Sequence, residues 1–357
     1  MIVGIVGVPK SGKTTVFNAV TGENCPVGTY SATGTTNTAT VWVPDERMNS
    51  LRAVYSPKKF TPASFQFRDY CVVTGDGVAN EMTAKLLSVV RDADALLKVV
   101  RGFQQIGAPE ANPLAELKEI DNEFLFADLE IIERRIEKLE KSTKKPHPDV
   151  DKEKKELELL TVCRTQLMAE RPLSELTFKP DEEKLLRGFK FLTQKPCLVL
   201  LNLDDDADPS QAKTHYPELF EAVGSVIVLR GRIEMEIAQL PAEDKPVFME
   251  EMGVSELLAE RVIRECFKLL GLICFFTVGP DEVKAWTLFS GESVLSAAGA
   301  IHTDLAKGFI KAEVANYADL APVEYNFKKA RGANLSRLEG RDYIVKDGDI
   351  IEIRFNV

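Results

Sequence analysis

The sequence predicts an α/β protein built on a mostly parallel sheet, with an inserted pair of helices and a small α+β module after it. Three patterns lead to this class. Strand-like and helix-like segments alternate over residues 1–103, apolar residues then recur at helical spacing over residues 129–167, and short strand-like segments fill residues 272–355. Strand-like residues also return after the helical segment, so we expect the helices to interrupt the sheet.

The first region has the rhythm of parallel strands joined by helices. Ile2–Val6 is short, apolar and β-branched, which is typical of a strand buried on both faces. Helical character begins at Thr14, and Glu81–Arg91 has an amphipathic pattern. The other strand candidates of this sheet are Thr38–Val43, Ser64–Asp69, Leu96–Val100, Cys197–Leu201 and Ser225–Leu229.

Two helical segments with a polar break between them occupy the middle of the chain. The first carries apolar residues at spacings of three and four, namely Leu129, Ile132, Ile136 and Leu139. Such spacing is typical of a coiled-coil seam. Residues 141–149 break the pattern, and Val150–Glu170 forms the second segment. We expect an antiparallel hairpin, and the alternative is a pair of surface helices lying flat on the body.

Short strands of mixed spacing follow in the last third of the chain. They predict a small α+β module that contains at least one helix. The turn Lys346–Asp349 is expected to join the last two strands. The strand candidates are Leu272–Thr277, Ala285–Leu288, Phe309–Glu313, Asp342–Val345 and Ile350–Phe355.

Composition limits the classes of function. The 357 residues carry a net charge of −10, so we expect no bulk binding of nucleic acid, and any RNA contact must come from a local patch. The six cysteines are scattered without a C-x-x-C pair, which favours a reducing compartment. No apolar run approaches the ~18 residues of a membrane span. We therefore expect a cytoplasmic protein without a membrane partner.

The segment between the first strand and the first helix carries the most specific motif. Gly7–Thr14 reads GVPKSGKT and fits G-x-x-x-x-G-K-[ST] without a mismatch. Glycines let the backbone N–H groups converge on phosphate, and the helix N-terminus adds partial positive charge. In this motif Lys13 reaches the β- and γ-phosphates and the hydroxyl of Thr14 holds Mg²⁺. The sequence therefore predicts a cradle for a nucleoside triphosphate.

Further polar residues stand where a nucleotide site needs them. Asp69 ends a strand candidate and is the expected Mg²⁺-binding carboxylate. Thr33 lies in the loop after the first helix and is the expected sensor of the γ-phosphate. Asn202 and Asp205 follow a later strand candidate and are expected to read the base, near Arg232. Taken singly, Asp69 and Thr33 are also ordinary residues for strand ends and loops.

These motifs resemble the YchF-type, Obg-like ATPase family of P-loop proteins. The match covers nearly the whole chain. It includes the P-loop and the residues after it, the start of the first helical segment, and several motifs of the last third: Gly7–Thr21, Asn122–Glu140, Gly279–Trp286, Ala298–Asp304, Lys307–Ile310 and Asp342–Asp349.

The resemblance implies a slow ATPase that tolerates GTP and associates with ribosomes. It also implies a P-loop domain formed by residues 1–111 and 191–273, a helical insertion over 112–190, and a β-grasp module called TGS over 274–357. The TGS module and the hairpin are the expected ribosome-binding surface. The family carries an apolar residue where related GTPases have the glutamine that orients water, and Val73 matches it here.

Four departures from the family pattern leave alternatives open. Lys10 replaces an asparagine that helps to hold potassium in some relatives, so its ammonium could supply that charge or have no role. Val72 replaces the glycine of D-x-x-G and cannot take a positive φ cheaply. A histidine that family members often carry is absent from Gly102–Asn112. The base-reading motif is Asn202–Asp205, NLDD, in which an aspartate suits guanine and a leucine does not.

We therefore expect Mg²⁺ with ATP or GTP, and the resemblance favours ATP. The alternatives are a regulatory module that binds nucleotide with little or no hydrolysis, a member that prefers GTP, and a small-molecule kinase on the same cradle. Lys13 and Thr33 are the expected catalytic residues, and the expected metal ligands are Thr14, Thr33 and Asp69. The expected nucleotide-binding residues are Gly7, Lys10, Ser11, Gly12, Lys13, Thr14, Thr15, Asn202, Asp205 and Arg232.

Overall fold

The computed structural model describes most of the chain, and two sheets organise it. The strands, in chain order, are β1 (Ile2–Val6), β2 (Thr36–Trp42), β3 (Lys59–Thr61), β4 (Ser64–Tyr70), β5 (Ala95–Gly102), β6 (Cys197–Leu203), β7 (Val226–Leu229), β8 (Leu272–Thr277), β9 (Glu282–Phe289), β10 (Phe309–Asn316), β11 (Arg337–Glu339) and β12 (Asp349–Phe355). The described residues are 1–27, 36–70, 87, 89–104, 110–144, 147–252, 254 and 257–356.

Helices connect these strands. In chain order they are α1 (Lys13–Thr21), α2 (Glu46–Tyr55), α3 (Pro113–Ser142), α4 (Val150–Met168), α5 (Pro180–Leu186), α6 (Ala212–His215), α7 (Pro217–Val223), α8 (Gly231–Gln239), α9 (Lys245–Glu251), α10 (Leu258–Leu269), α11 (Val294–Ile301), α12 (Thr303–Lys307) and α13 (Phe327–Gly332). Single 3₁₀ turns lie at Leu173–Glu175, Arg187–Phe189, Pro209–Gln211, Tyr317–Asp319 and Ala321–Val323. None of the described helices combines the length and the apolar character that crossing a membrane requires.

The chain divides into two compact units. The first contains residues 1–39 and 66–259, and the second contains residues 40–65 and 260–357. Residues 40–65 contribute α2 and β3 to the second unit, and β3 pairs in parallel with β9. This grouping was not visible in the sequence, where these residues read as part of the first region.

The first unit holds the predicted parallel sheet. Its strand order is β2-β4-β1-β5-β6-β7, and the pairs β1–β4, β1–β5, β5–β6 and β6–β7 are parallel. β1 therefore lies inside the sheet, and Val3 and Ile5 are fully buried. The sequence-based prediction of an α/β fold with a mostly parallel sheet is confirmed.

Helix α3 serves two separate cores. Asn112 caps its start, with the side-chain oxygen accepting from Ala115 N at 3.0 Å, and Pro113 occupies the first turn, where its missing N–H costs nothing. Leu117, Ile120 and Phe124 pack with the core of the parallel sheet. The later apolar residues of α3 form a second cluster with α4 and the segment after it, among them Ile132, Ile136, Leu139, Leu160, Leu167 and Leu173.

The two long helices form the predicted antiparallel hairpin. Arg135 of α3 makes a two-pronged ion pair with Glu156 of α4, with Nε–Oε1 and Nη2–Oε2 distances of 2.7 and 2.8 Å. Ser142 Oγ and His147 Nε2 approach to 3.4 Å at the tip. The predicted seam is buried at Ile132, Ile136 and Leu139, since an apolar stripe repeating every three to four residues lies on one face of a helix.

The second unit has a mixed sheet in the order β11-β10-β12-β8-β9-β3. β8 and β9 are antiparallel, β12 joins β8 in parallel, and β10 is antiparallel to β12. Val294, Ala297 and Ala298 of α11 are fully buried in a core with Phe275 and Val314. The predicted α+β module is therefore present.

One strand prediction in this module is wrong. Asp342–Val345 makes only an isolated bridge between Ile344 and Ser293, because its backbone bonds to the residues around the start of α11. Val294 N donates to Tyr343 O at 2.8 Å, and Val345 N donates to Glu292 O at 3.1 Å. The strand of this region is β11, so the turn Lys346–Asp349 leads into β12 without joining two strands.

Candidate functional site

The phosphate-binding loop joins β1 to α1 at the carboxyl edge of the parallel sheet. Gly7 and Gly12 have no room for a side chain. A Cβ on Gly7 would lie 2.4 Å from Val99 O, and a Cβ on Gly12 would lie 2.2 Å from Asn202 Nδ2. Gly12 also has φ +87°, a left-handed conformation that L side chains disfavour. The motif therefore needs glycine at both positions for steric reasons.

The lysine of the motif folds back onto the loop. Lys13 Nζ donates to Gly7 O at 2.9 Å and to Val8 O at 2.8 Å, which holds the ammonium against the loop. Gly12 is the N-cap residue of α1, and no described side chain caps this helix start. Unsatisfied N–H groups at a helix N-terminus carry partial positive charge and bind anions. The arrangement suits phosphate.

A buried carboxylate lies directly beside the predicted metal-binding hydroxyl. Ile5 and Asp69 are register partners in the parallel strands β1 and β4, so the P-loop and Asp69 are side by side. Asp69 is fully buried, and Thr14 Oγ1 donates to its Oδ2 at 2.8 Å. Hydroxyl and carboxylate oxygens are the ligand types that Mg²⁺ prefers alongside water and phosphate. Thr14 and Asp69 therefore fit Mg²⁺ by donor chemistry and position.

Asn202 connects three parts of the site. It is buried at the end of β6, where Nδ2 donates to Ser11 O at 3.2 Å and Oδ1 accepts from Gly231 N at 3.0 Å. A Cβ on Gly231 would lie 2.5 Å from Asn202 Oδ1, so this contact also needs a glycine. The amide fixes the P-loop and the start of α8 relative to the loop after β6.

The predicted base-reading carboxylate is paired with an arginine. Asp205 Oδ2 and Arg232 Nη1 lie 3.1 Å apart, and the side chains are 34% and 66% exposed. Arg230 Nη1 donates to the main-chain oxygen of Asp205 at 3.4 Å. Leu203, the second residue of the NLDD motif, is buried in the sheet core. The loop after β6 and the start of α8 thus meet at the outer part of the site.

The other predicted residues of the P-loop differ in exposure and backbone conformation. Lys10 is exposed and has φ +64°, a left-handed conformation that is uncommon for lysine. Ser11 is fully buried, and Thr15 is half-buried in the first turn of α1. Thr33, Val72 and Val73 lie outside the described residues, as do residues 105–109 of the loop that lacks histidine.

The segment that leads toward Thr33 is anchored to α1. The fully buried Asn18 accepts from Cys25 N at 3.0 Å and donates to Cys25 O at 2.8 Å. Burial raises the pKa of the Cys25 thiol, and the nearby Glu23 and Asp69 carboxylates act in the same direction. Cys25 is therefore a protonated thiol at neutral pH.

Two residues near the site were not singled out from the sequence. Asn37 Nδ2 lies 3.5 Å from Asp69 Oδ2, at the start of β2. Phe103 follows β5, and its Cε1 would lie 3.9 Å from a Cβ on Gly12. The position of Asn37 at the end of the threonine-rich loop was a usable signal, whereas the approach of Phe103 depends on the packing of two distant loops.

His302 has a structural position. Its Nδ1 accepts from Asp304 N at 3.2 Å, so it caps α12. Its Nδ1 also lies 3.5 Å from Asp304 Oδ2. These contacts give His302 a structural role as the capping residue of α12.

Two family models match parts of the chain. The model YchF-GTPase_C, described as a protein of unknown function (DUF933), matches residues 272–356. The model MMR_HSR1, described as a 50S ribosome-binding GTPase, matches residues 2–147. The two matches lie over the P-loop region and the terminal α+β module.

Curated relatives match along the whole chain. The "Ribosome-binding ATPase YchF" of Bacillus subtilis (strain 168) is 36% identical over 99% of both chains. This chain belongs to the YchF family. The YchF protein of Escherichia coli O157:H7, with the same printed description, is 35% identical over 99% of both chains.

Two solved structures resemble this chain in fold. The Schizosaccharomyces pombe YchF GTPase superposes with a TM-score of 0.83 at 27% identity, covering 99% of this chain and 97% of that one. A GTP-binding protein from Pyrococcus horikoshii OT3 gives a TM-score of 0.60 at 20% identity over the full length of both chains, a likeness of fold alone. The expected family is confirmed.

Proposed function

We propose that this YchF-family protein binds a magnesium nucleoside triphosphate in its P-loop, hydrolyses it slowly and acts as a switch at the ribosome, with ATP preferred over GTP. One observation carries the proposal: the Thr14 hydroxyl lies 2.8 Å from the buried Asp69 carboxylate, beside a P-loop whose Lys13 ammonium is held over its own carbonyls. The relatives are named ribosome-binding ATPases, which supports the same function.

Each residue at the phosphate end of the site has a separate role in this proposal. Lys13 and backbone N–H groups of the loop bind the β- and γ-phosphates. Bound Mg²⁺ supplies charge neutralisation between these phosphates. Thr14 offers its hydroxyl as a ligand, Asp69 holds the water shell, and Thr33 responds to the γ-phosphate. Asn202 keeps the loop in shape through Ser11 O.

Slow turnover follows from the residues expected to meet the attacking water. Val73 has no group that orients water, so hydrolysis depends on positioning and electrostatics alone. A ribosome-bound state can supply the missing positioning, which makes the protein a partner-dependent switch. The rival function, nucleotide binding with negligible hydrolysis, uses the same cradle and differs only in this step.

We further propose that the TGS-like module of residues 274–357 and the hairpin within residues 112–190 bind the ribosome in the cytoplasm. Basic and acidic side chains nearly balance in the second unit, whereas the net negative charge resides in the first. The second unit is therefore the less repelled by a polyanionic surface.

The direct test is a titration with a fluorescent ATP analogue in Mg²⁺, followed by single-turnover hydrolysis with and without ribosomes. We expect saturable one-site binding, and hydrolysis that rises when ribosomes are added. K13A should abolish both. K213A, which removes an exposed lysine from α6, outside the proposed ribosome-binding surface, is the charge-matched control and should bind like the wild type. Binding without any hydrolysis, even with ribosomes, would favour the rival function.

A further inference from the structure

The outer part of the site has a charge arrangement that differs from an isolated carboxylate. Asp205, the base-reading candidate, shares its Oδ2 with Arg232 at 3.1 Å. Asp205 lies in the loop after β6, and Arg232 lies in the first turn of α8. Asn202, three residues before Asp205, accepts a hydrogen bond from the N–H group of Gly231, which precedes Arg232. This contact holds the two segments together. The pair is thus positioned by a buried anchor.

The edges of the two purine bases demand different partners. Guanine presents N1–H and its N2 amino group side by side, and one free carboxylate accepts from both donors with its two oxygens. Adenine presents a donor, the N6 amino group, beside an acceptor, N1. A guanidinium has donors only. A carboxylate paired with a guanidinium therefore offers an acceptor next to a donor, which complements adenine.

The same pair is a poor partner for guanine. The Arg232 guanidinium places a donor where the carboxylate would accept the second guanine donor, and it neutralises the charge that favours a donor-rich edge. Guanine O6 could accept from Arg232 only if the base moved along the carboxylate, which gives up the N2 contact. A site with an unpaired polar group rejects the wrong ligand more strongly than one that merely lacks a contact.

Leu203 does not contribute to base recognition, which leaves Asp205 and Arg232 as the candidate residues. Its side chain is 5% exposed and packs into the core of the parallel sheet. A Cβ on Gly102 would lie 2.6 Å from Leu203 Cδ2, so the leucine is held tightly in that position. It therefore takes no part in recognising the edge of a base.

We propose that Arg232 determines the base preference of this protein by pairing with Asp205, so that the NLDD motif selects adenine although its aspartate alone would suit guanine. This inference rests on the proposed nucleotide site and adds a specificity residue to it. The wild type binds Mg-ATP more tightly than Mg-GTP, and loss of Arg232 converts Asp205 into an ordinary guanine-reading carboxylate.

The test is the ratio of the dissociation constants for Mg-ATP and Mg-GTP, measured by calorimetry on the full chain. R232A should shift the ratio toward GTP by about tenfold, and R232A combined with D205A should remove the preference for GTP. R230A is the matched control. It deletes an arginine that contacts only the main-chain oxygen of Asp205 among the described contacts, and it should change the ratio less than twofold.

The outcomes separate this assignment from the proposed function. An unchanged ratio in R232A, with both nucleotides still bound, would overturn the role of Arg232 and leave the nucleotide site intact. An equal shift in R230A would also overturn it, because the change in base preference would then not depend on the guanidinium that pairs with the Asp205 carboxylate. Absence of Mg-nucleotide binding by the wild type would overturn both proposals. Thermal melting shows whether each variant folds, and the exposed position of Arg232 favours an unchanged midpoint.

Discussion

The two ends of the nucleotide site are built differently. At the phosphate end the key carboxylate, Asp69, is 0% exposed and its partner Thr14 lies on the neighbouring helix. At the base end the key carboxylate, Asp205, is 34% exposed and its partner is a long, mobile type of side chain. Buried, short contacts fix a geometry strongly, whereas exposed ion pairs contribute little to stability and are easily changed. We propose that the first end provides binding and that the second provides the choice of base.

The largest effect is expected from Asp69→Asn. The amide cannot hold the water shell of Mg²⁺ with the charge of a carboxylate, so hydrolysis should fall by about 100- to 1,000-fold. Binding of Mg-ATP and Mg-GTP should weaken equally, because Asp69 lies beside the phosphate-binding loop and away from the residues proposed to contact the base. Titration of hydrolysis against Mg²⁺ checks this. Activity that is independent of Mg²⁺ in the wild type would contradict it.

The contrast between buried and exposed carboxylates extends to the second unit. Glu313 is 3% exposed and accepts from Arg331 Nε at 2.6 Å, Ser336 Oγ at 2.8 Å and Arg354 Nη2 at 2.7 Å. The hydrogen bond from Arg331 is the largest cause that lowers the pKa of Glu313, from 4.5 to about 2. The carboxylate is buried, whereas the side chains of Arg331 and Arg354 are 45% and 48% exposed, so removal of its charge weakens contacts that water partly screens.

E313Q should therefore lower the free energy of unfolding by about 1–2 kcal/mol at neutral pH. The carboxylate pKa is lower in the folded state, so its stabilisation is complete above pH 4.5 and is lost as the pH falls toward 2. Denaturant unfolding from pH 7 to pH 2.5 measures the difference between wild type and E313Q. A difference that stayed constant through this range would contradict the assignment, and E324Q, at an exposed carboxylate, is the control.

Asn202→Ala should affect both ends of the site. It leaves Ser11 O and Gly231 N without their buried partner, and each unsatisfied group costs about 1–3 kcal/mol. Nucleotide affinity should fall at least tenfold for ATP and GTP alike, with a lower melting temperature. Fluorescent-nucleotide titration and thermal melting report the two effects. Loss confined to one nucleotide would show that Asn202 reads the base and does not support the loop.

The smallest effect is expected from Lys10→Asn. Asparagine tolerates φ +64° better than lysine, so the variant should be more stable by about 0.5–1 kcal/mol. If the Lys10 ammonium replaces a bound potassium ion, wild-type hydrolysis should be equal in potassium and sodium, and K10N should become faster in potassium. A sharp potassium requirement in the wild type would show that Lys10 does not supply this charge.

The elements that could be predicted from the sequence are those set by local pattern. The motif already specifies Gly7 and Gly12, the two positions where the structure leaves no room for a side chain. The apolar seam of the hairpin follows from helical periodicity. The closeness of Thr14 and Asp69, the proposed metal ligands, followed from their order along the chain, since parallel strands bring their carboxyl ends to one edge.

The features that escaped prediction depend on packing between distant segments. Residues 342–345 have strand-like composition, yet their backbone groups bond to Glu292 and Val294, so no ladder forms. β3 belongs to the second unit because of its pairing with β9, more than two hundred residues further along the sequence. The Asp205–Arg232 ion pair joins a loop to the first turn of α8, and the spacing of residues in the sequence does not indicate that these two segments are close.

One calorimetric experiment tests the division of labour between the two ends most directly. Wild type, D69N and R232A are titrated with Mg-ATP and Mg-GTP. We expect D69N to weaken both nucleotides by the same factor and R232A to change their ratio about tenfold while overall affinity persists. If D69N altered the ratio, or if R232A weakened both nucleotides equally, the separation of binding from base choice would be wrong.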